Sequence, residues 1–321
     1  MHLTHSDTIG PYLIDRPLSQ GGMSHIYLAS HCERPYYKVV LKLNASEKST
    51  FQDLLRREAD HLAALRHPSI VRIYPLRLPG SKRVVYQARA KDQPNRPWYF
   101  AMEYIAGGGL DAHLRQISQL PVNWRIELFY QLLLAIQFMH NHGYAHCDLK
   151  PENILLRERP RLDRTPQPIL IDLGSISSMK RRDQLTNTPH YSPPELILAA
   201  SEPQNRTLQA PELIPPGKGD IWALGAILYE LLAGAPLVNE DEPAAVAAAI
   251  LKGEWPSIRS QQPDVHESLE IMVSMMLHRN PHRRPEISEL IEAIEEKIAS
   301  VAPPRIPIDT HGLQQAREQE A

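Results

Sequence analysis

The sequence predicts a two-lobed α+β protein, and three observations carry that reading. The first hundred residues are short β-branched or aromatic runs interrupted by one helical stripe. A glycine run, "AGGG" at residues 106–109, breaks the pattern. Almost everything after it has helical periodicity. The expected architecture is a small antiparallel β-rich lobe with one helix, a hinge near residues 103–109, and a larger, mainly α-helical lobe.

Each element can be read in order. "YLIDRPLS", "SHIYLASH" and "KVVLKL" are strand-like runs separated by turn residues. Then "TFQDLLRREADHLAALRHP" places Phe51, Leu54, Leu55, Ala59, Leu62 and Leu65 on one helical stripe, with Thr50 as the expected N-cap and Pro68 beyond the end. Strand-like runs return in "SIVRIYPL", "RVVYQAR" and "WYFAMEYI". Past the glycine run, "WRIELFYQLLLAIQFMHNHG" reads as a long apolar helix ending at Gly143, a suitable C′ residue. Further helices are expected in "DIWALGAILYELLAG", "DEPAAVAAAILKG", "ESLEIMVSMMLHR" and "EISELIEAIEEKIAS". "NILL" and "PILIDLG" read as short strands joined by a basic, proline-bearing loop. The expected units are residues 1–105, residues 106–300 and a disordered tail over 301–321, where the chain turns proline-broken and then polar.

Composition excludes several classes. The 321 residues carry a formal charge of −2, which gives no field to gather nucleic acid or an anionic membrane. The amino terminus is polar, without the apolar stretch of a secretory signal. The longest apolar stretch is shorter than the roughly 20 residues that span a bilayer. Cys32 and Cys147 are too few for a disulfide framework and fit a reducing compartment. The expectation is a soluble, cytoplasmic protein.

The chemistry concentrates in "HCDLKPENILL", residues 146–156, followed by "LIDLG". Asp148 lies on a loop between a long helix and a short strand, where a carboxylate can accept a proton from an attacking hydroxyl. Lys150 can neutralise charge on a transferring phosphoryl group. Asn153 and Asp172 offer the oxygen ligands that Mg²⁺ prefers. Phosphoryl transfer uses such parts because its catalysis is mainly positioning and charge stabilisation.

With these residues in place, the chain resembles the eukaryotic-type protein kinase family from about Ile9 to about Ile298, and in particular the kinase domains of bacterial serine/threonine kinases. "HCDLKPEN" is similar to the catalytic loop H-R-D-x-K-P-x-N, and "DLG" to D-F-G. "SQGGMSHI" stands where the family has G-x-G-x-x-G-x-V, which implies that Ser19, Gly21, Gly22 and Ile26 cover ATP. Ser19 and Ser24 depart from that pattern at the first and third glycine positions. The resemblance makes Lys42 of "VVLKL" the lysine that contacts the α- and β-phosphates, and Glu58 its ion-pair partner. It makes Met102 the gatekeeper and the backbone of Glu103 and Ile105 the adenine contacts. It assigns Asp148, Lys150 and Asn153 to catalysis and Asn153 and Asp172 to the metal. In "NTPHYSPPE" it puts Thr188 near the substrate and Glu195 in the A-P-E position. Glu212 of "APELI" competes for that role but sits too close to "DIWALG". Choosing Glu195 leaves residues 199–216 as an insertion. Asp220 should brace the catalytic loop and Arg284 should pair with Glu195.

The resemblance thus implies a bilobal kinase that uses ATP and Mg²⁺ on serine or threonine of protein substrates, since a lysine stands two residues after Asp148. A regulatory protein partner is a further possibility. Cys147 replaces the family's arginine, and a thiol cannot offer a fork of donors to a phosphorylated loop. Activation independent of phosphate on that loop is therefore expected. A pseudokinase acting as a scaffold is the alternative, favoured by the altered glycine loop and the absent arginine before Asp148. A small-molecule phosphotransferase would lack "SPPE" and "DIWALG". A zinc site at His140, His142, His146 and Cys147 is disfavoured because His140 and His142 are two apart on a helix and face apart.

Overall fold

The computed structural model describes residues 3–5, 7–21, 24–46, 48–77, 83–178, 189–201 and 216–301, with only the backbone described at 177, 178, 201, 216 and 297–301. The smaller lobe runs β1 (Thr8–Ile9), β2 (Tyr12–Gln20), β3 (Ser24–His31), β4 (Arg34–Asn44), α1 (Ser49–Ala64), β5 (Ile73–Tyr74), β6 (Leu76–Arg77), β7 (Val84–Val85), β8 (Ala88–Arg89) and β9 (Trp98–Glu103). Its antiparallel sheet has the order β1-β2-β3-β4-β9-β5, with β8 also on β9 and β6 paired to β7 apart.

Both faces of the sheet are covered, which is why "KVVLKL" is a continuous apolar run rather than an alternating one. Period-2 geometry sends Val39, Leu41 and Leu43 into an outer cluster with Ile14, Tyr27 and Tyr99. Val40, Phe100 and Met102 join the main core on the opposite face. Lys42 shares the face of Val40, so an ammonium is carried into an apolar wall and buried there. The helix that covers it, α1, buries Leu55, Ala59 and Leu62 as its periodicity requires, and Glu58 with them. Thr50 is not its N-cap. The carbonyl of Lys48 already accepts from the N–H groups of Phe51 and Gln52, so Lys48 caps the helix, without a side-chain bond.

The larger lobe contains α2 (Leu110–Ile117), α3 (Val122–Asn141), β10 (Tyr144–Ala145), β11 (Ile154–Leu156), β12 (Pro168–Leu170), β13 (Ser177–Ser178), α4 (Pro194–Ser201), α5 (Pro216–Ala233), α6 (Pro243–Lys252), α7 (Ile258–Gln261), α8 (Glu267–Met276) and α9 (Ile287–Val301). α3 packs against α5 and α9, and α5 against α8. Leu128, Phe129, Leu132, Leu133 and Ile136 of α3 are fully buried, as suits a central helix apolar on several sides. Gly143 follows its end with φ +80°, the left-handed conformation that glycine adopts most cheaply. A buried arginine on α3, Arg125, donates Nη1 to the carbonyls of Leu231 and Leu232 at 3.1 and 3.0 Å. It thereby satisfies the open C-terminal turn of α5. No helix among the described residues is long and apolar enough to cross a membrane.

Backbone bonds tie the lobes together and hold the hinge against the larger lobe. On one side the N–H of Val71 donates to the Leu170 carbonyl at 2.9 Å and the N–H of Leu170 to the Ser69 carbonyl at 2.8 Å. On the hinge side the N–H of Leu156 donates to the Gly108 carbonyl at 2.8 Å. Gly107 passes so close that a Cβ there would fall 2.6 Å from the carbonyl carbon of Glu158 and would collide with the Leu156 carbonyl oxygen. Those neighbours are backbone and cannot swing aside. Gly107→Ala should therefore cost about 1–3 kcal/mol, the usual range for overpacking. Urea unfolding measures it, and an unchanged midpoint would show that the hinge has slack.

Candidate active site

The loop between α3 and β11 is held from below. Asp220, in the first turns of α5 and 1 % exposed, accepts the N–H of His146 on Oδ2 and that of Cys147 on Oδ1, each at 2.9 Å. It also bonds His140 Nε2 at 2.8 Å. Cys147 adopts a left-handed backbone, φ +65°, uncommon for a residue with a side chain. The bonds from Asp220 hold the turn that requires it. His146 is fully buried, and burial lowers its pKa, so the ring is neutral and structural. His142 is engaged elsewhere, with Nδ1 bonded to the Phe138 carbonyl. The histidines near Cys147 thus serve the fold.

On this support, Asp148, Lys150 and Asn153 form one bonded unit. Asp148 Oδ2 accepts from Lys150 Nζ and from Asn153 Nδ2, both at 3.0 Å. Asn153 Nδ2 also donates to the Asp148 carbonyl at 2.8 Å. Its amide nitrogen is thereby committed, which leaves the amide oxygen to offer a cation. Asp148 Oδ1 has no protein partner among the described residues.

The second unit draws on three distant segments. Lys42 Nζ lies 2.7 Å from Glu58 Oε1 on α1 and 2.9 Å from Asp172 Oδ1 beyond β12. Burial pushes Glu58 up to about 7, with the Lys42 ammonium opposing it. Burial also works against the charge on Lys42, but Glu58 and Asp172 outweigh it and raise its pKa. Asp172 is lowered despite burial, because Lys42 and the Gly174 N–H favour its ionised form. Asp172 also has a left-handed backbone, φ +59°, and accepts from Gly174 N. These bonds use Oδ1, so Oδ2 is the oxygen without a protein partner among the described residues. An ionised aspartate and an amide oxygen fit Mg²⁺, which takes one or two such ligands and completes its shell with water and phosphate. Among the described residues no group of three or more His, Cys, Asp and Glu could hold a metal by itself.

Val40, Met102 and Ile105 belong to the main apolar core, and Ile26 is partly buried against it. Ser19 pairs with Ile26 across β2 and β3. Gly21 donates its N–H to the Ser24 carbonyl at 3.0 Å, closing the hairpin. At the hinge, the N–H of Glu103 is donated to the Arg72 carbonyl at 2.8 Å, so this backbone donor is already committed within the protein. Gly22, Thr188, Glu212, most of the 199–216 insertion and the tail beyond residue 301 lie outside the described residues. Glu195, on α4, receives both Nη atoms of Arg284, at 2.8 and 2.7 Å.

A family model, the protein kinase domain, matches residues 12–293. The chain belongs to the protein kinase family. As a protein kinase family member it is 28% identical over 286 residues to the serine/threonine-protein kinase PrkC of Bacillus subtilis, covering 88% of this chain and 40% of the relative. It is 31% identical over 290 residues to CBL-interacting protein kinase 10 of Oryza sativa, covering 88% of this chain and 56% of that protein. To the serine/threonine-protein kinase PknB of Mycolicibacterium smegmatis it is 29% identical over 279 residues, covering 85% and 40%. The chain therefore spans about half or less of these relatives' length. The bilobal α+β fold of this protein kinase is the one expected from its sequence.

Sequence reasoning gave no role to Arg125, nor to Arg157 and Gln167, which the fold brings together by a hydrogen bond, with Arg157 also bonded to Glu103 at the hinge. Arg157 is one of several basic residues in the loop after "NILL", and nothing in the linear pattern separates it from its neighbours.

Proposed function

We propose that this chain transfers the γ-phosphoryl group of MgATP to serine or threonine hydroxyls of proteins. The observation that carries the reading is the Lys42 ammonium bonded at once to Glu58 and Asp172, next to an Asp148–Lys150–Asn153 unit already joined by hydrogen bonds. In this reading the smaller lobe extends through residue 105 and the larger from 106 to about 300. The adenine lies against Ile26, Val40 and Met102, bonded by the carbonyl of Glu103 and the N–H of Ile105, beneath the loop of Ser19, Gly21 and Gly22. Lys42 holds the α- and β-phosphates. Asp148 Oδ1 orients the acceptor hydroxyl and takes its proton as the oxygen attacks phosphorus and ADP leaves. Lys150 offsets charge on the phosphoryl group in flight. Asn153 and Asp172 would hold Mg²⁺, which neutralises charge on the β- and γ-oxygens when bound.

Lys150, two residues after the acid and bonded to it, supports the serine/threonine assignment, as do the names of the relatives. The pseudokinase alternative rests on Ser19, Ser24 and Cys147, none of which supplies a phosphate or metal ligand in this scheme. Protein substrates, a cytoplasmic location and a regulatory partner belong to the proposal. The test is incubation with γ-labelled ATP, Mg²⁺ and generic protein substrates, followed by mapping of the phosphosites. Label on serine and threonine is expected. Asp172→Ala should abolish the Mg²⁺-dependent signal. Full activity of that variant, or of the wild type in excess EDTA, would point to a different reaction.

A further inference from the structure

The hairpin of β11 and β12 carries function at both ends. At one end Asn153 immediately precedes Ile154, and Asp172 follows Leu170 by two residues. At the other end Arg157 and Gln167 flank the paired residues Leu156 and Pro168. There the N–H of Arg157 donates to the Gln167 carbonyl at 2.9 Å, and its Nε donates to Gln167 Oε1 at 3.1 Å. The guanidinium is thus held by the hairpin, and it reaches across to the hinge: Arg157 Nη1 bonds Glu103 Oε1 at 2.6 Å.

The geometry points to Arg157 as a positioning residue for the nucleotide, through the ion pair that ties the hinge at Glu103 to the hairpin bearing Asn153 and Asp172. A β-strand is a stiff spacer at about 3.3 Å per residue. Fixing one end of this hairpin to the adenine-binding segment sets how far that segment lies from the metal ligands at the other end. The pair is not a catalytic contact: it touches neither phosphate nor acceptor hydroxyl. Its side chains are 41 % and 21 % exposed, so solvent screens it and its influence is moderate. It is also charge-assisted, and the donor is pre-oriented by Gln167, which favours one geometry over many. The backbone bond from Leu156 to Gly108 keeps the hinge attached without it. Its loss should therefore loosen the spacing rather than unfold the lobe.

This inference rests on the kinase reading above. The test measures MgATP affinity by titration calorimetry, and kcat and KM for ATP, in the wild type, Arg157→Ala, Arg157→Lys, Glu103→Gln and the double variant Glu103→Gln/Arg157→Ala. Arg157→Ala should weaken MgATP binding about two- to five-fold, as loss of a half-exposed ion pair would. Its kcat should stay within two-fold and its unfolding midpoint should be little changed. Arg157→Lys should recover part of the affinity, and the double variant should be no worse than either single one. Unchanged affinity in Arg157→Ala, or additive losses in the double variant, overturns the inference while leaving the kinase reading intact. Failure of the wild type to bind MgATP overturns both.

Discussion

Asp148→Asn is expected to lower phosphoryl transfer by about 10²- to 10⁴-fold, the usual worth of a positioned general base. The substitution keeps shape. An asparagine oxygen can still accept from Lys150 and Asn153, which bond Asp148 Oδ2 at 3.0 Å, so the loop on Asp220 should stay in place. What is lost is the carboxylate that takes the hydroxyl proton in the proposed mechanism. That mechanism assigns the nucleotide contacts to Lys42 and the hinge, so MgATP affinity should remain within a few-fold of wild type. Rate and affinity measured on the same preparation separate the two effects. A variant that phosphorylates as well as wild type would remove Asp148 from the reaction and sink the assignment of the loop.

The largest effect on stability is expected at Arg284. Its side chain is fully buried, and Glu195, its bidentate partner, is 9 % exposed. The same guanidinium donates to the carbonyls of His278 at 2.9 Å and Lys218 at 2.7 Å, and lies 5.1 Å from the centre of the Trp222 ring. Removing one member of a buried pair leaves the other charged and unsolvated, which typically costs about 3–5 kcal/mol. A domain is stable by only about 5–15 kcal/mol, so Arg284→Ala should lose a large share of its stability and unfold at a much lower urea concentration. Removing both charges in Arg284→Met/Glu195→Leu should be milder, because no buried ion is then left alone. Urea unfolding of the two variants checks this. A single variant within about 1 kcal/mol of wild type would mean that α4 is held to the segment between α8 and α9 by something other than this pair.

Legibility followed the range of the interaction. β4 and α1 were readable because period 2 and period 3.6 are local properties, and the buried residues fall where those periods put them. Gly143 ends α3 as expected because a left-handed residue after a helix is a local steric demand. The strands of two residues, β10 and β13 among them, are too short to carry any period, and α2 begins right after a run of glycines that reads as a break. The N-cap of α1 falls at Lys48 rather than Thr50 because the backbone turn closes two residues earlier, forgoing the hydroxyl cap that a threonine would offer.

By itself the sequence singled out the residues to which the proposed chemistry is assigned: an acid, a lysine and an amide lie within six positions, and so close a set is defined by the chain alone. It also determined the two-lobed division, since hydrophobic periodicity changes character at residues 106–109. Only the tertiary structure decided what those residues face. Lys42, Glu58 and Asp172 meet although 130 residues separate the first from the last, because β4, α1 and the end of β12 converge where Lys42 and Glu58 are buried and Asp172 is half-exposed. Among the described residues, Asp148 Oδ1 and Asp172 Oδ2 are the carboxylate oxygens left over after hydrogen bonds that no spacing rule predicts. Arg125 capping α5 and Arg157 gripping the hinge are likewise ordinary basic residues until folding brings carbonyls or a carboxylate to them. The reason is physical. Periodicity records the side of an element that avoids water, whereas ion pairs and hydrogen bonds depend on distances of about 3 Å between groups whose approach only the whole fold sets.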